Sequence, residues 1–137
     1  MRQAGCMLII KDGLILGVSR KNDRTKFGLA GGKVDGNETQ EEAAIRETLE
    51  ETGLKVNKCK RFFNRIEPPS YPGGQEFESA TFYAFDWEGE IYSLEEGAVK
   101  WLTAKELTSS SAAFPDYNSR MLDAFKQNFT KVYVKGE

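Results

Sequence analysis

The chain has 137 residues, a formal net charge of -2 and no histidine. This length predicts one domain, residues 1–137, large enough to bury a core without disulfides or structural metal. The lack of histidine excludes Ser-His and Cys-His nucleophilic catalysis and the usual zinc sites. The nearly neutral charge favours neither a nucleic-acid polymer nor a membrane surface as a partner.

No charged-then-apolar leader opens the chain, and no apolar run approaches the roughly 18 residues of a membrane span. The two cysteines, Cys6 and Cys59, show no close pairing pattern. Cys6 falls in an apolar run, where a free thiol acts as a small buried hydrophobe and suits a reducing compartment. We therefore expect a cytoplasmic protein that is a monomer or a homodimer.

The first elements predicted are two strands. Residues 4–10 form an apolar run, Asp12-Gly13 predicts a hairpin turn, and residues 14–19 predict the second strand. Residues 20–26 are polar and basic, which predicts a loop that could lie beside a ligand.

A helix is predicted next, over about residues 40–52. Thr39 and Glu42 form a capping box at its start. Gly53 stands where the end of a helix favours a left-handed residue, and no proline intervenes. Helical spacing predicts that one face packs on a core, formed by Ile45, Thr48, Leu49 and Thr52.

The remaining elements predict a sheet between helices. Residues 56–66 read as extended, the Pro- and Gly-rich residues 67–74 as a loop, and the alternating residues 78–87 as a strand. A short strand at 99–102, a turn at 103–107, a loop at 109–114 and a closing helix at 117–129 follow. The inward side chains of that helix are Met121, Leu122, Phe125 and Phe129. Strands separated by two substantial helices predict an α/β fold with a helix on each side of the sheet.

Three glutamates on the first helix indicate a metal site. Glu47, Glu50 and Glu51 lie at positions i, i+3 and i+4 and share one stripe. Such carboxylates repel each other unless a cation lies among them, and magnesium is usually held by a few carboxylates, water and substrate phosphate. We predict magnesium or manganese here. The alternative is a solvated acidic face, which is common on surface helices but does not explain the flanking glycines.

Residues 32–54 read GKVDGNETQEEAAIRETLEETGL. This stretch resembles the signature of the Nudix hydrolases, G-x5-E-x7-R-E-U-x-E-E-x-G-U, in which U is aliphatic. Every fixed letter is present, and only Thr48 departs, at a U position. Upstream, Phe27 and Ala30 stand where relatives often carry tryptophan and proline, whereas Gly31 and Gly32 are retained. The resemblance implies the α/β/α sandwich of that family, with a mixed β-sheet between helices.

The resemblance also implies the metal ligands. Glu47, Glu50 and Glu51 match the family's metal-binding glutamates, and the carbonyl of Gly32 often adds an oxygen. Either Glu50 or Glu51 could be the base that activates water as well as a ligand.

Further roles follow from the same resemblance. Arg46 matches an arginine that orients the carboxylates. Because adjacent helix residues do not face each other, we expect it to bridge Glu42 or Glu50; an ordinary surface ion pair is the alternative. Glu38 matches a supporting glutamate. A carboxylate outside the motif sometimes acts as base, and Glu95 is chosen narrowly over Glu96, with an acidic turn as the alternative.

The candidate substrate-binding residues lie outside this motif. Arg20, Lys21, Arg24 and Lys26 could meet phosphates, and Phe27, Tyr71 or Phe77 could stack on a base, although aromatic residues in such a fold mostly pack in the core. Relatives acting on ADP-ribose often carry a proline near Pro69, and those acting on dinucleoside polyphosphates a tyrosine near Tyr71. The chain lacks the long N-terminal extension of many dimeric ADP-ribose hydrolases.

The sequence therefore predicts a divalent-metal-dependent pyrophosphohydrolase that cleaves the diphosphate linkage of a nucleoside diphosphate derivative. A nucleoside triphosphate or similar small nucleotide is favoured over ADP-ribose, a nucleotide sugar or a dinucleoside polyphosphate. The alternatives are a catalytically silent nucleotide-sensing module, which a lost motif glutamate would favour, and a structural protein with an acidic helix.

Overall fold

Eight strands and three helices are formed by residues 1–69, 71–92 and 98–136, the part of the chain that the computed structural model describes. In chain order they are β1 (Arg2–Leu8), β2 (Ile10–Lys11), β3 (Leu14–Arg20), β4 (Asp23–Gly28), β5 (Ala30–Lys33), α1 (Gln40–Thr52), β6 (Lys55–Glu67), β7 (Phe77–Glu88), β8 (Val99–Leu102), α2 (Ala104–Thr108) and α3 (Pro115–Asn128). Within that part, no helix combines the length and the apolar character needed to cross a bilayer.

The strands form two sheets, whereas we expected one. The first has the order β5-β1-β7-β6 and is mixed, because β1 pairs parallel with β7 and antiparallel with β5. β6 completes it by pairing antiparallel with β7. In the second sheet, β3 pairs antiparallel with β2, β4 and β8.

Side chains alternate across β1, and this alternation builds two hydrophobic cores. Met7 packs in one core with Ala44 of α1. Leu8 packs in the other with Met121 and Phe125 of α3. The first sheet therefore lies between α1 and α3. This arrangement confirms the predicted α/β/α sandwich with a mixed sheet between helices.

Helix α1 begins and ends where the sequence predicts. The Thr39 side chain accepts from the Glu42 amide while the Glu42 side chain accepts from the Thr39 amide, and Gly53 has a left-handed φ of 84°. The buried face is centred on Ala44, Thr48 and Thr52. The expectation that Leu49 faces the core is wrong, since Leu49 is 43% exposed.

Threonine can occupy that buried face because its hydroxyl bonds back to the helix. Thr48 Oγ1 donates to the Ala44 carbonyl at 2.7 Å, and Thr52 Oγ1 donates to the Thr48 carbonyl at 2.6 Å. Each buried hydroxyl thus donates its proton to a carbonyl within α1 itself, and Thr52 Oγ1 also accepts from the Leu54 amide at 3.2 Å. The one residue that departs from the family's signature, Thr48, is accommodated in this way.

The predicted loop at residues 20–26 is wrong, because these residues form the turn and second strand of a β3–β4 hairpin. Arg20 pairs with Asp23 across the two-residue turn. The Thr25 amide and hydroxyl both donate to Asp23 Oδ1, at 3.0 and 2.6 Å. These local hydrogen bonds organise a segment that has no hydrophobic alternation.

Two further elements differ from expectation. The predicted turn at 103–107 is the short helix α2, because Thr103 and Glu106 form a second capping box. The paired glycines, Gly31 and Gly32, belong to strand β5, which no sequence pattern predicts. Pairing with β1, where Gly32 lies opposite Gly5, holds them extended.

The closing helix is confirmed, with Met121, Leu122 and Phe125 buried. The ring centroid of Phe125 lies 5.0 Å from that of Tyr83 and 5.5 Å from that of Phe62. Phe129 follows the helix and stacks on Phe125 at 5.0 Å. Aromatic pairs of this kind each add about 0.5–1.5 kcal/mol to the stabilisation from buried area. They fix α3, and with it the segment that precedes it, against the sheet.

Candidate active site

The start of α1 is attached directly to the first sheet. The buried Gln40 side chain donates through Nε2 to the carbonyls of Ala4, at 3.0 Å, and Glu78, at 3.2 Å. The helix backbone approaches so closely that a Cβ added at Gly5 would lie 2.0 Å from the Gln40 carbonyl oxygen. The helix therefore has a fixed position relative to β1, and its glutamates have fixed positions relative to β5.

Arg46 connects three of the predicted acidic residues. It donates to Glu38 twice, from Nε at 2.7 Å and from Nη2 at 2.9 Å, and to Glu47 from Nη1 at 2.9 Å. The same Nη1 reaches Glu50 at 3.3 Å. Nη2 also donates to the carbonyl of Lys33 at 3.2 Å.

These contacts settle the expected partners of Arg46. The expected bridge to Glu50 is confirmed, but the bridge to Glu42 is wrong, because the Glu42 carboxylate accepts from the Thr39 amide as part of the cap. The argument that adjacent helix residues do not meet also fails here. Arginine is long enough for its guanidinium to turn back along the helix surface to Glu47.

The charges of this network reinforce one another. Hydrogen bonding from Arg46, followed by hydrogen bonding from the Asp35 amide, lowers the pKa of Glu38 to about 2. Hydrogen bonds to Glu38 and Glu47 raise the pKa of Arg46 above its ordinary value. Glu38 is therefore ionised throughout the physiological range and acts as a fixed anchor for the guanidinium.

Glu47 and Glu51 both meet the glycine strand β5. The Gly31 amide donates to Glu51 Oε1 at 2.9 Å. A Cβ added at Gly32 would lie 2.6 Å from the Glu47 carboxyl carbon, so only glycine allows this approach. The two carboxylates and the Gly31-Gly32 backbone consequently line one surface.

That surface is part of a cavity of about 640 Å³, here called the main cavity. Its lining includes both Glu47 and Glu51, and Arg20 and Lys21 add positive charge. The other lining residues are Ala4, Cys6, Val18, Ser19, Asn22, Gly28, Leu29, Gly31, Gly32, Lys33, Glu67, Phe77, Ser79, Ala113, Phe114, Tyr117 and Asn118. Carboxylates, cations and an aromatic wall in one space of this size suit a ligand with both anionic and apolar parts.

The donor set fits a hard divalent cation. Among residues 1–69, 71–92 and 98–136, no three acidic, thiol or imidazole groups converge into a metal-binding cluster. Magnesium is, however, usually bound by one or two carboxylates together with substrate phosphates and water. Glu47 and Glu51, which face one cavity, meet that requirement. Glu50 is not among the residues of the main cavity, and its side chain is 45% exposed.

The residues predicted to bind substrate are dispersed. Arg20 lines the main cavity and also a second cavity beside the β3–β4 hairpin, where Lys26 lies. Arg24, Phe27 and Tyr71 line neither of these two cavities formed by the described residues. Phe27 packs on the second core with Lys100 Nζ 4.4 Å from its ring centroid, and Tyr71 is 66% exposed. Glu95, the predicted additional carboxylate, lies outside the described residues, as does Glu96.

Several cavity residues were not predicted, and most lie around the start of α3. Asn118 is buried, with Nδ2 donating to the carbonyls of Leu107 and Ala113 at 2.9 and 2.7 Å. Tyr117 Oη lies 2.6 Å from Thr81 Oγ1, and burial raises its pKa above the ordinary value. The sequence did contain a signal for this wall. Asn118 is a polar residue on the inward face of an amphipathic helix, one turn before Leu122.

Cys6, expected to be a buried hydrophobe, also borders the main cavity. Burial, and then the negative charge of Glu51, raises the pKa of its thiol to about 12. A thiol held in the protonated form is a poor nucleophile. Cys6 therefore contributes a small apolar wall to the cavity.

The sequence matches the NUDIX domain family over residues 1–125. An ADP-ribose pyrophosphatase of Methanocaldococcus jannaschii is 53% identical over 64 residues, which cover 45% of this chain and only 37% of the length of that relative. The structure of the E. coli ORF135 protein has a TM-score of 0.77 at 24% identity, covering 96% of this chain and 93% of the other. A MutT NUDIX hydrolase from Burkholderia pseudomallei has a TM-score of 0.72 at 25% identity, covering 87% of this chain and 95% of the other. With the family match spanning more than half its length, this chain belongs to the Nudix hydrolase family.

Proposed function

We propose that this protein is a divalent-metal-dependent hydrolase that cleaves the diphosphate linkage of a nucleoside diphosphate derivative. The observation that carries this proposal is the shared position of Glu47 and Glu51, which line the same cavity as Gly31, Gly32 and Arg20. A phosphate group in this space would meet carboxylates able to hold a cation on one side and a fixed positive charge on the other.

The two helix carboxylates share one task in the proposed site. Glu47 and Glu51 would hold the ion, with Glu50 and the carbonyl of Gly32 as the further ligands expected from the sequence. When bound, such an ion neutralises charge on the phosphate oxygens and lowers the pKa of bound water. Arg46 fixes the orientation of the Glu47 carboxylate by its 2.9 Å hydrogen bond.

The reaction itself requires a base and a departing phosphate. Water attacks one phosphorus of the diphosphate, a new P–O bond forms, and the bridging P–O bond breaks with its electrons on the departing phosphate. A carboxylate beside the water, Glu50 or Glu51, accepts the proton. Arg20 stabilises the charge that accumulates on the phosphate oxygens, because a guanidinium donates two hydrogen bonds in the geometry of a phosphate.

Two substrate classes are considered. A nucleoside triphosphate or a similar small nucleotide is the class expected from the sequence. The name of the Methanocaldococcus jannaschii relative, an ADP-ribose pyrophosphatase, favours ADP-ribose. The aligned 64 residues extend over less than half of either chain.

The test is turnover against nucleoside triphosphates, dinucleoside polyphosphates, ADP-ribose and nucleotide sugars, with magnesium, with manganese, or with EDTA. Coupled pyrophosphatase or phosphatase identifies the products. We expect metal-dependent release from at least one substrate, and loss of at least about 10²-fold in the Glu47→Gln variant. Thermal stabilisation by a nucleotide with no turnover of any substrate would instead support a nucleotide-sensing module.

A further inference from the structure

A second cavity, of about 460 Å³, lies beside the β3–β4 hairpin and is here called the hairpin cavity. Its lining includes the charged side chains of Arg20, Asp23 and Lys26 and the hydroxyl of Ser110. Arg20, Asn22, Ala113 and Phe114 also line the main cavity, so the two spaces share a wall. A ligand longer than a nucleoside could therefore occupy both.

Arg20 and Phe114, which belong to the shared wall, form a cation–π pair. The guanidinium carbon of Arg20 lies 4.7 Å from the ring centroid of Phe114, and Arg20 Nε donates to Asn22 Oδ1 at 3.2 Å. Phe114 has a φ of 54°, in the left-handed region that a bulky side chain rarely adopts. The residue is nevertheless 61% exposed, so burial of Phe114 does not compensate for its backbone conformation. Unfavourable backbone geometry of this kind concentrates at ligand sites.

The charged and polar groups of the hairpin cavity favour a phosphorylated sugar over a polyphosphate tail. Arg20 and Lys26 supply two positive charges, which suit a phosphate. Asp23 faces the same space, and the hydrogen bonds from Thr25 hold the pKa of its carboxyl below the ordinary value. An ionised carboxylate accepts hydrogen bonds from sugar hydroxyls but repels the additional charges of a polyphosphate tail. Asn22 and Ser110 add further hydrogen-bonding groups for hydroxyls.

We propose that the hairpin cavity binds the second half of the substrate, a phosphorylated sugar joined through the diphosphate to the nucleoside in the main cavity. This inference rests on the proposed function and assigns the substrate class as a nucleoside diphosphate linked to a sugar. Arg20, which borders both cavities, lies where the two halves join. A nucleoside triphosphate has no second sugar for the hairpin cavity, and a terminal phosphate that entered it would meet the carboxylate of Asp23.

The first test uses AMP and ribose 5-phosphate, which contain no diphosphate linkage and are the two products expected from ADP-ribose. Both are titrated in magnesium, and binding is followed by the amide resonances of the isotopically labelled protein. Ribose 5-phosphate is expected to shift the hairpin residues 22–26 and to bind in the presence of saturating AMP. Displacement of one ligand by the other, or shifts confined to the main cavity, would overturn the proposal.

The second test uses two variants of the hairpin cavity. Lys26→Ala removes a phosphate contact, and Asp23→Asn removes a charge while keeping the oxygen that accepts from Thr25. Each is expected to weaken ribose 5-phosphate binding by about tenfold, the usual effect of one charge-assisted hydrogen bond, and to change AMP binding less than about twofold. Lys11→Ala, an exposed lysine in β2, is the matched control and leaves both affinities unchanged.

Turnover separates this inference from the proposed function. In Lys26→Ala, kcat/KM for ADP-ribose is expected to fall about tenfold through KM. In Asp23→Asn, kcat/KM for ATP is expected to rise while that for ADP-ribose falls. If kcat/KM changed equally for ADP-ribose and ATP, or did not change, the hairpin cavity would not be the sugar site. The proposed hydrolase function would still stand, because the wild-type protein would turn over its substrate. No turnover of any nucleotide by the wild-type protein would overturn the proposed function, whatever the hairpin variants bind.

Discussion

The Arg46 guanidinium donates two hydrogen bonds to the Glu38 carboxylate, at 2.7 and 2.9 Å, across the junction between β5 and α1. The pair joins the segment before the helix to the helix itself, two turns further along. Arg46 also donates to the Lys33 carbonyl and to Glu47. One side chain therefore holds the end of β5, the segment that follows it and the predicted metal ligand. Glu38 thus supports the site from outside it.

Replacement of Arg46 by lysine keeps the charge but cannot reproduce the two parallel hydrogen bonds. We expect Arg46→Lys to lower magnesium affinity or catalytic efficiency by about 10–100-fold, the usual effect of removing a group that orients a metal ligand. The measurement is the magnesium dependence of turnover, with the thermal midpoint as a check on folding. Arg120→Lys, in an exposed i,i+4 pair with Asp116, is the control and retains wild-type kinetics. Unchanged magnesium dependence in Arg46→Lys would reduce Arg46 to an ordinary surface ion pair.

The parts of the fold that local physics specifies could be read from the sequence. The bounds of α1 follow from a capping box and a left-handed glycine, both of which act within a few residues. The closing helix follows from its amphipathic spacing. The failure at Leu49 has a different origin. Hydrophobicity alone favours leucine over threonine for the core, but the bonds from Thr48 and Thr52 to the preceding turn make threonine acceptable there.

Elements fixed by distant pairing could not be read in this way. Strand β5 consists of Ala30, two glycines and Lys33, and only its alignment with β1 makes it a strand. The composition of the main cavity depends similarly on where α3 begins, because folding alone places Phe114, Tyr117 and Asn118 in the lining of the cavity that Glu47 and Glu51 border. The motif predicted the acidic residues, whereas the other walls of the main cavity could be identified only from the structure.

Glu51 allows a test of the metal and base assignments with little effect on folding. Glu51→Gln retains an oxygen that can accept from the Gly31 amide, a contact of 2.9 Å in the wild type, and removes the negative charge. We expect kcat to fall by at least about 10²-fold, the effect of one important catalytic group, with little change in thermal midpoint. Glu41→Gln, at an exposed position on the same helix, is the control and leaves turnover unchanged. Wild-type turnover in Glu51→Gln would remove Glu51 from the site.

The close approach of α1 to β1 predicts a strong effect at Gly5. In Gly5→Ala, the added Cβ would lie 2.0 Å from the Gln40 carbonyl oxygen, so the helix start must move. We expect destabilisation of about 1–3 kcal/mol, typical of overpacking, and reduced turnover because the glutamates move with the helix. Denaturant unfolding measures the first effect and a steady-state assay the second.

Gly28→Ala is the matched control for that stability measurement. Its added Cβ would meet only Ala113 at an ordinary 3.4 Å, and the backbone there needs no positive φ. We expect its free energy of unfolding to change by much less than that of Gly5→Ala. If the two variants have equal stability, the contact between α1 and β1 is looser than the structure indicates.

The ion pair at the start of α3 predicts a pH-dependent contribution to stability. The hydrogen bond from Arg65, at 2.7 Å, together with the charges of Arg120 and Arg65, holds the pKa of Asp116 below its ordinary value of 3.8. A depressed pKa in the folded state means that the ionised form favours folding. This contribution is fully present above the unfolded-state pKa and is lost as the pH falls through the folded-state pKa.

Asp116→Asn should therefore lower the thermal midpoint at pH 7, and the difference from wild type should shrink once the pH falls below about 3.8. Thermal unfolding of both proteins between neutral and strongly acidic pH measures this convergence. Asp123→Asn, an exposed change on the same helix, is the control for the loss of one negative charge from α3. A gap between wild type and Asp116→Asn that persists unchanged into strong acid would mean that the lost stability comes from packing or helix capping. In that case the pairing of Asp116 with Arg65 does not secure the start of α3, and the position of Phe114 beside Arg20 depends on the aromatic core around Phe125 instead.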